Sequence, residues 1–133
     1  MAASPQIRVV IADDQPLQRQ GFRMILQSQD DMTIVGEASD GAQALTLVRN
    51  EQTDVVLMDI QMPRVNGLVA AAKIADDAAV VQLGRAPRVI LLTAVAVDDH
   101  IAAAATAGVF AVLFKDLHPE DLLAAVRAAA AQP

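Results

Sequence analysis

The sequence predicts an α/β protein built on an open, doubly wound, five-stranded parallel sheet. Short apolar runs recur along the chain and are continuous rather than alternating, which is how strands covered on both faces read. Stretches with helical spacing and helix start signals lie between them, and strand–helix alternation with two-sided burial implies parallel pairing with right-handed crossovers. The chain has 133 residues. That suffices for one domain with its own core, but an eight-fold barrel needs about twice as much, so the sheet is open.

The elements follow in order. The first strand is expected over Ile7–Ala12, and Pro16 opens a helix whose apolar side is expected from Leu17, Phe22, Met24 and Ile25. A weaker, more polar run at 32–37 reads as a strand near an edge, and Asp40-Gly41 opens a second helix with Ala44, Leu45 and Val48 inward. The third strand spans 55–58, and Asn66-Gly67 starts a helix running to about Asp77. The fourth strand spans 89–93. Asp98 then opens an alanine-rich helix that stops at Gly108, as a C-terminal glycine stops one. The fifth strand spans 109–114, before a helix that begins at His118-Pro119-Glu120-Asp121. Proline at the first helical position needs no donor, and the two acids complement the dipole. Leu122, Leu123 and Val126 make its buried stripe. The stretch 76–88, with Gly84 and Pro87, is long for a connection and has no clean reading. With no repeat, heptad or interdomain linker, residues 1–133 read as a single domain with its core at about 6–130.

Composition removes several function classes. There is no cysteine, which excludes zinc ribbons, thiol redox enzymes and cysteine nucleophiles. The formal charge is −6, with ten basic residues scattered among sixteen acidic ones, so a surface for phosphate backbones is not expected. Three Phe and no Trp or Tyr leave no stacking platform for single strands. No apolar run approaches the ~20 residues of a membrane span. Nor does the N-terminus have the basic, then apolar build of a signal peptide. A cytoplasmic location with no membrane contact is the expectation.

In such a sheet, ligands bind beyond the carboxyl ends of the strands, where the winding reverses. Asp13-Asp14 end the first strand, Asp59 the third, Thr93 the fourth and Lys115 the fifth. Taken singly, each has a bland reading: helix cap, capped structural acid, strand threonine, surface lysine. Together, three carboxylates, a hydroxyl and an ammonium converge on one edge. Asp59 also follows Val-Val-Leu-Met, so a charge sits at the end of a segment built for burial, where desolvation costs several kcal/mol unless compensated. Carboxylates sharing a cleft raise one another's pKa unless a cation is present, and Mg2+ suits a site that combines one or two of them with a phosphate and water. There is no glycine-rich phosphate loop and no histidine placed as a base, since His100 and His118 lie on helical stretches. Such a site could hold a single phosphoryl group against an Asp, without a nucleotide cradle.

Five separated motifs carry a resemblance to a known family. They are Ile11-Ala12-Asp13-Asp14-Gln15-Pro16; Asp54-Val55-Val56-Leu57-Met58-Asp59-Ile60-Gln61-Met62-Pro63; Asn66-Gly67; Leu91-Leu92-Thr93-Ala94; and Leu113-Phe114-Lys115-Asp116. In this order and spacing the chain resembles the receiver domain of two-component response regulators. Val35-Gly36-Glu37-Ala38, Asp40-Gly41, Lys115-Asp116 and the run from Pro119 to Val126 resemble the NarL/FixJ subfamily, whose receivers precede LuxR-type helix-turn-helix domains.

The resemblance implies a flavodoxin-like sheet of strand order 2-1-3-4-5 and a role for each site residue. Asp59 would accept a phosphoryl group from the phosphohistidine of a sensor histidine kinase. Asp14 would ligate Mg2+ directly and Asp13 mainly through metal-bound water, with Asp59 and the Gln61 backbone carbonyl completing the ligands. Thr93 and Lys115 would bind phosphoryl oxygens. The chain would be no enzyme in the usual sense, though it would dephosphorylate itself slowly. Its output would be transcriptional, reaching DNA through a C-terminal domain outside this chain, with a homodimer as a further option. The family usually carries an aromatic on the fifth strand, three residues before the lysine, for readout. Here that position is Val112, with Phe110 and Phe114 as neighbouring aromatics.

Two other readings are weighed against this one. A Mg2+-dependent phosphatase with an aspartyl-phosphate intermediate needs a general acid two residues after the nucleophile, where Gln61 stands. A degenerate receiver acting only as a protein-binding module would not need all five site residues.

Overall fold

The computed structural model describes residues 6–63, 65–77, 80, 82, 86–94 and 109–132. Branched and long apolar residues form five strands: β1 (Ile7–Ala12), β2 (Met32–Ala38), β3 (Val55–Asp59), β4 (Arg88–Thr93) and β5 (Ala111–Phe114). All pair in parallel in the order β2-β1-β3-β4-β5, as expected. Burial follows position. Strands β3 and β4 are buried almost throughout, whereas β2 and β5 at the edges are half-buried.

Four described helices flank the sheet: α1 (Pro16–Gln27), α2 (Gly41–Asn50), α3 (Gly67–Asp76) and α4 (Pro119–Ala130). Asp40 and Asn66 cap α2 and α3 through side-chain oxygens that accept the Gln43 and Val69 amides at 2.8 and 2.9 Å, satisfying donors that a helix leaves open. The expected fourth helix, from Asp98 to Gly108, lies outside the described residues.

Strand alternation splits the core in two. Val10, Ala12, Val56, Met58, Val89 and Leu91 face α2 and α3, meeting Ala44, Val48, Ala70, Ala71 and Ile74. On the other face Val9, Ile11, Val55, Leu57, Ile90 and Leu92 meet Phe22 and Leu26 of α1 and Leu122, Val126 and Ala129 of α4. Helices on both faces make the sheet doubly wound.

Two helical faces depart from expectation. Leu17 and Met24 are 82% and 64% exposed, and α1 buries Phe22 and Leu26 with Ile25 packed beside them. At about 100° per residue these three share one side and Leu17 and Met24 the opposite one. On α4, Ala129 joins Leu122 and Val126 in the buried stripe and Leu123 is only half-buried. Strand β5 starts at Ala111 rather than 109, although the Phe110 amide already donates to the Val89 carbonyl at 2.8 Å. Between α3 and β4, Val80 is fully buried and its amide donates to Asp77 Oδ1.

Candidate functional site

The chain leaves β1 for β2 on one side and returns to β3 on the other, so β1 and β3 bracket the point where the winding reverses. The registers Ala12↔Met58, Asp59↔Leu92 and Thr93↔Phe114 bring the carboxyl ends of four strands to one edge. Asp13, Asp14, Asp59, Thr93 and Lys115 all follow from that edge.

Asp13 is buried. Its amide donates to the Ala38 carbonyl at 2.9 Å, and its Oδ1 accepts the Gln15 amide at 2.9 Å, an Asx turn that passes the chain into α1. Arg19 Nη1 donates to the Asp13 carbonyl at 2.6 Å, fixing the turn from the helix side. Asp14 is exposed beside it.

Asp59 closes β3 and is 4% exposed. The Gln61 amide donates to its Oδ1 at 3.2 Å. The Ile60 amide remains in the ladder, donating to the Leu92 carbonyl at 3.0 Å. Gly67, at the start of α3, sits against this turn. Its amide donates to the Ile60 carbonyl at 2.8 Å, and a Cβ there would lie 2.2 Å from the Asp59 carbonyl oxygen. Only glycine allows that approach.

Thr93 is buried at the end of β4, and its carbonyl accepts the Lys115 amide at 2.8 Å, which ties the β5 exit to β4. Lys115 Nζ then reaches across the edge. It lies 3.0 Å from Asp59 Oδ2 and 3.3 Å from Asp13 Oδ2, and it donates to Gln18 Oε1 at 2.5 Å. Burial pushes the Asp59 carboxyl above the usual carboxylate range. The Lys115 hydrogen bond and charge oppose the rise and the Asp13 charge adds to it.

Ligand oxygens of Asp13, Asp14 and Asp59 lie within 4.8 Å of one another. A half-buried ammonium, a buried carboxylate and a polar edge form a place where a small anionic group could be attached and neutralised. The family follows from sequence as well as geometry: residues 9–127 match the model described as the response regulator receiver domain.

The chain belongs to the response regulator receiver family.

This receiver is 41% identical over 127 residues to the uncharacterized transcriptional regulatory protein YxjL of Bacillus subtilis, covering 94% of this chain and 55% of that protein. It is 32% identical over 123 residues to the nitrate/nitrite response regulator protein NarL of Escherichia coli, covering 92% of this chain and 54% of that protein. The chain thus spans about half the length of the curated relatives it matches. Among solved structures, a NarL signal receiver domain from Mycobacterium tuberculosis superposes with a TM-score of 0.84 at 33% identity, covering 98% of this chain and 100% of that one. The response regulator domain of Thermotoga maritima CheB gives 0.83 at 28% identity, covering 96% and 98%. The NarL/LuxR-type affinity expected from the motifs therefore holds.

Receivers of this family bind Mg2+ at an aspartate cluster, and the residues present fit such an ion. Three carboxylates face one ammonium, which leaves two negative charges to balance. Asp13 Oδ2 is also buried and accepts no hydrogen bond of ordinary geometry among the described residues, with the shared Lys115 ammonium 3.3 Å away. A buried carboxylate oxygen with so incomplete a set of partners favours a further cation or water beside it. The sequence reading missed Gln18 and Arg19, which hold Lys115 and the Asp13 carbonyl. A glutamine and an arginine in the first turn of a helix carry no special signal.

Proposed function

We propose that this receiver accepts a phosphoryl group on Asp59 from the phosphohistidine of a sensor histidine kinase, with Mg2+ bound by Asp13, Asp14, Asp59 and the Gln61 backbone carbonyl. The observation that carries the reading is Lys115 Nζ, 3.0 Å from the buried Asp59 Oδ2 and 3.3 Å from Asp13 Oδ2, beside the three-carboxylate cluster.

A carboxylate oxygen of Asp59 attacks phosphorus, the new O–P bond forms as the histidine N–P bond breaks, and the imidazole leaves with the bonding pair. Such transfer depends on positioning and on neutralising charge spread over three oxygens more than on acid–base work. Mg2+, when bound, supplies part of that neutralisation. Lys115 supplies a fixed positive charge at one phosphoryl oxygen, and the Thr93 hydroxyl donates to another. The Gln61 amide keeps Asp59 Oδ1 oriented. Water later attacks the acyl phosphate and releases inorganic phosphate, giving slow self-dephosphorylation.

A new dianion on Asp59 adds negative charge that attracts the Lys115 ammonium and the Thr93 hydroxyl, which shifts the loops after β4 and β5 toward a second arrangement. The fold supports this, because the Lys115 amide is tied to the Thr93 carbonyl and the two loop starts are coupled. The wider protein is proposed to be a cytoplasmic transcriptional regulator in which this single receiver domain controls a C-terminal DNA-binding domain, with homodimerisation as a further interaction. The names and lengths of the relatives support that reading. The phosphatase reading lacks its general acid, since Gln61 cannot donate a proton in that role.

Intact-mass measurement tests the proposal. Acetyl phosphate with Mg2+ should add one phosphoryl mass to the wild type and none to Asp59→Asn. Equal labelling of the variant would sink it.

A further inference from the structure

The Lys115 ammonium carries three N–H donors, and three acceptors surround it: Asp59 Oδ2 at 3.0 Å, Asp13 Oδ2 at 3.3 Å and Gln18 Oε1 at 2.5 Å. The two carboxylates have other work during the transfer proposed above. Asp59 becomes an acyl phosphate and its oxygen charge passes to the phosphoryl group, while Asp13 turns to the cation. Gln18 is neutral and does neither. It sits in the first turn of α1, which Phe22 and Leu26 anchor in the core. Among these acceptors, then, Gln18 alone can keep the same bond to Lys115 before and after the phosphoryl group arrives.

We infer that Gln18 is a positioning residue, whose Oε1 holds the Lys115 ammonium beside Asp59 throughout phosphoryl transfer so that an incoming phosphoryl oxygen meets a charge already in place. The inference rests on the phosphoacceptor reading of Asp59. Its physical content is preorganisation: a flexible four-carbon stem fixed by a neutral anchor loses less freedom when the phosphoryl group binds. A neutral acceptor also leaves the ammonium's full charge available to the phosphoryl oxygens, which a third carboxylate would partly cancel.

The test uses the full chain labelled with nitrogen-15, with Gln18→Met as a near-isosteric variant lacking a strong acceptor and Gln18→Glu as one that retains an oxygen there. In the wild type the Lys115 side-chain ammonium resonance should stay sharp, protected from exchange, both in the metal-free protein and with Mg2+ and beryllofluoride as the phosphoryl mimic. In Gln18→Met it should broaden, most in the loaded state, and Gln18→Glu should restore it. The rate of Asp59 labelling by acetyl phosphate at saturating Mg2+ should fall about tenfold in Gln18→Met, the low end of what supporting outer contacts contribute. A resonance and a rate within about twofold of the wild type in Gln18→Met would overturn the role of Gln18 alone. So would a resonance lost in Gln18→Met and not restored in Gln18→Glu. Absence of any labelling in the wild type would overturn the phosphoacceptor reading, and the role of Gln18 with it.

Discussion

Asp59 concentrates the conflict between folding and function in this molecule. Burial raises its carboxyl above the usual carboxylate range, and Lys115 offsets that rise only in part. A carboxyl whose folded value lies above its unfolded one favours the folded state at low pH and loses that advantage as pH rises through the folded value. At neutral pH the ionised side chain therefore costs stability. Asp59→Asn is expected to raise stability by about 1 kcal/mol at pH 7 in metal-free buffer, the gain fading at a pH well below the ordinary carboxylate value of about 3.9, where Asp59 is protonated in the folded and unfolded chain alike. Thermal melts at the two pH values check this. The same side chain was the most legible site residue in the sequence, because a charge ending a buried strand demands a reason. Gln18 and Arg19 were illegible, since their roles depend on where α1 lies over the β1 exit.

At the scale of elements, the β3–α3 connection sets the site's shape. Gly67 presses against the Asp59 carbonyl, so the helix start and the Asp59 backbone are fixed together. Gly67→Ala should destabilise the fold by about 2 kcal/mol or more, since relief requires backbone to move, and should slow Asp59 labelling beyond what the stability loss explains. Chemical denaturation alongside the acetyl phosphate assay separates the two effects. Helix starts at Pro16, Gly41, Gly67 and Pro119 were readable because capping and proline chemistry are local. The face of α1 was not, because Leu17 and Met24 look as apolar as the residues it buries, and only the sheet decides which side is covered. Helix α4 has a further tie. Arg127 pairs with Asp31 before β2 at 3.0 Å, and that hydrogen bond lowers the Asp31 carboxyl below its usual value.

For the whole molecule, the layered arrangement makes the site a property of the sheet edge. Mg2+ binding to the folded form alone stabilises by mass action, by about 2.7 kcal/mol at a hundred times Kd. Melts with and without Mg2+ should show that gain in the wild type and little of it in Asp13→Asn, because Asp13 brings a buried carboxylate oxygen to the cluster. The layers also bear on readout. Val112 packs with the α2–α3 core, whereas Phe110 packs with the α1–α4 core. Alternation along β5 places Phe114, 48% exposed, on the same face as Val112, so of the two neighbouring aromatics it is the one on the side where the usual aromatic would stand.

By itself the sequence determined the element order, the parallel sheet and the five residues of the strand ends, because hydrophobic runs, caps and charges after buried strands are local signals. Tertiary structure alone decided three things: which side of α1 is buried, that Lys115 sits among Asp13, Asp59 and Gln18, and that Gly67 abuts Asp59. The first depends on which face of the sheet α1 covers, the second on segments far apart in the chain meeting at the strand ends, and the third on how the β3–α3 turn folds back, and no local pattern records those distances.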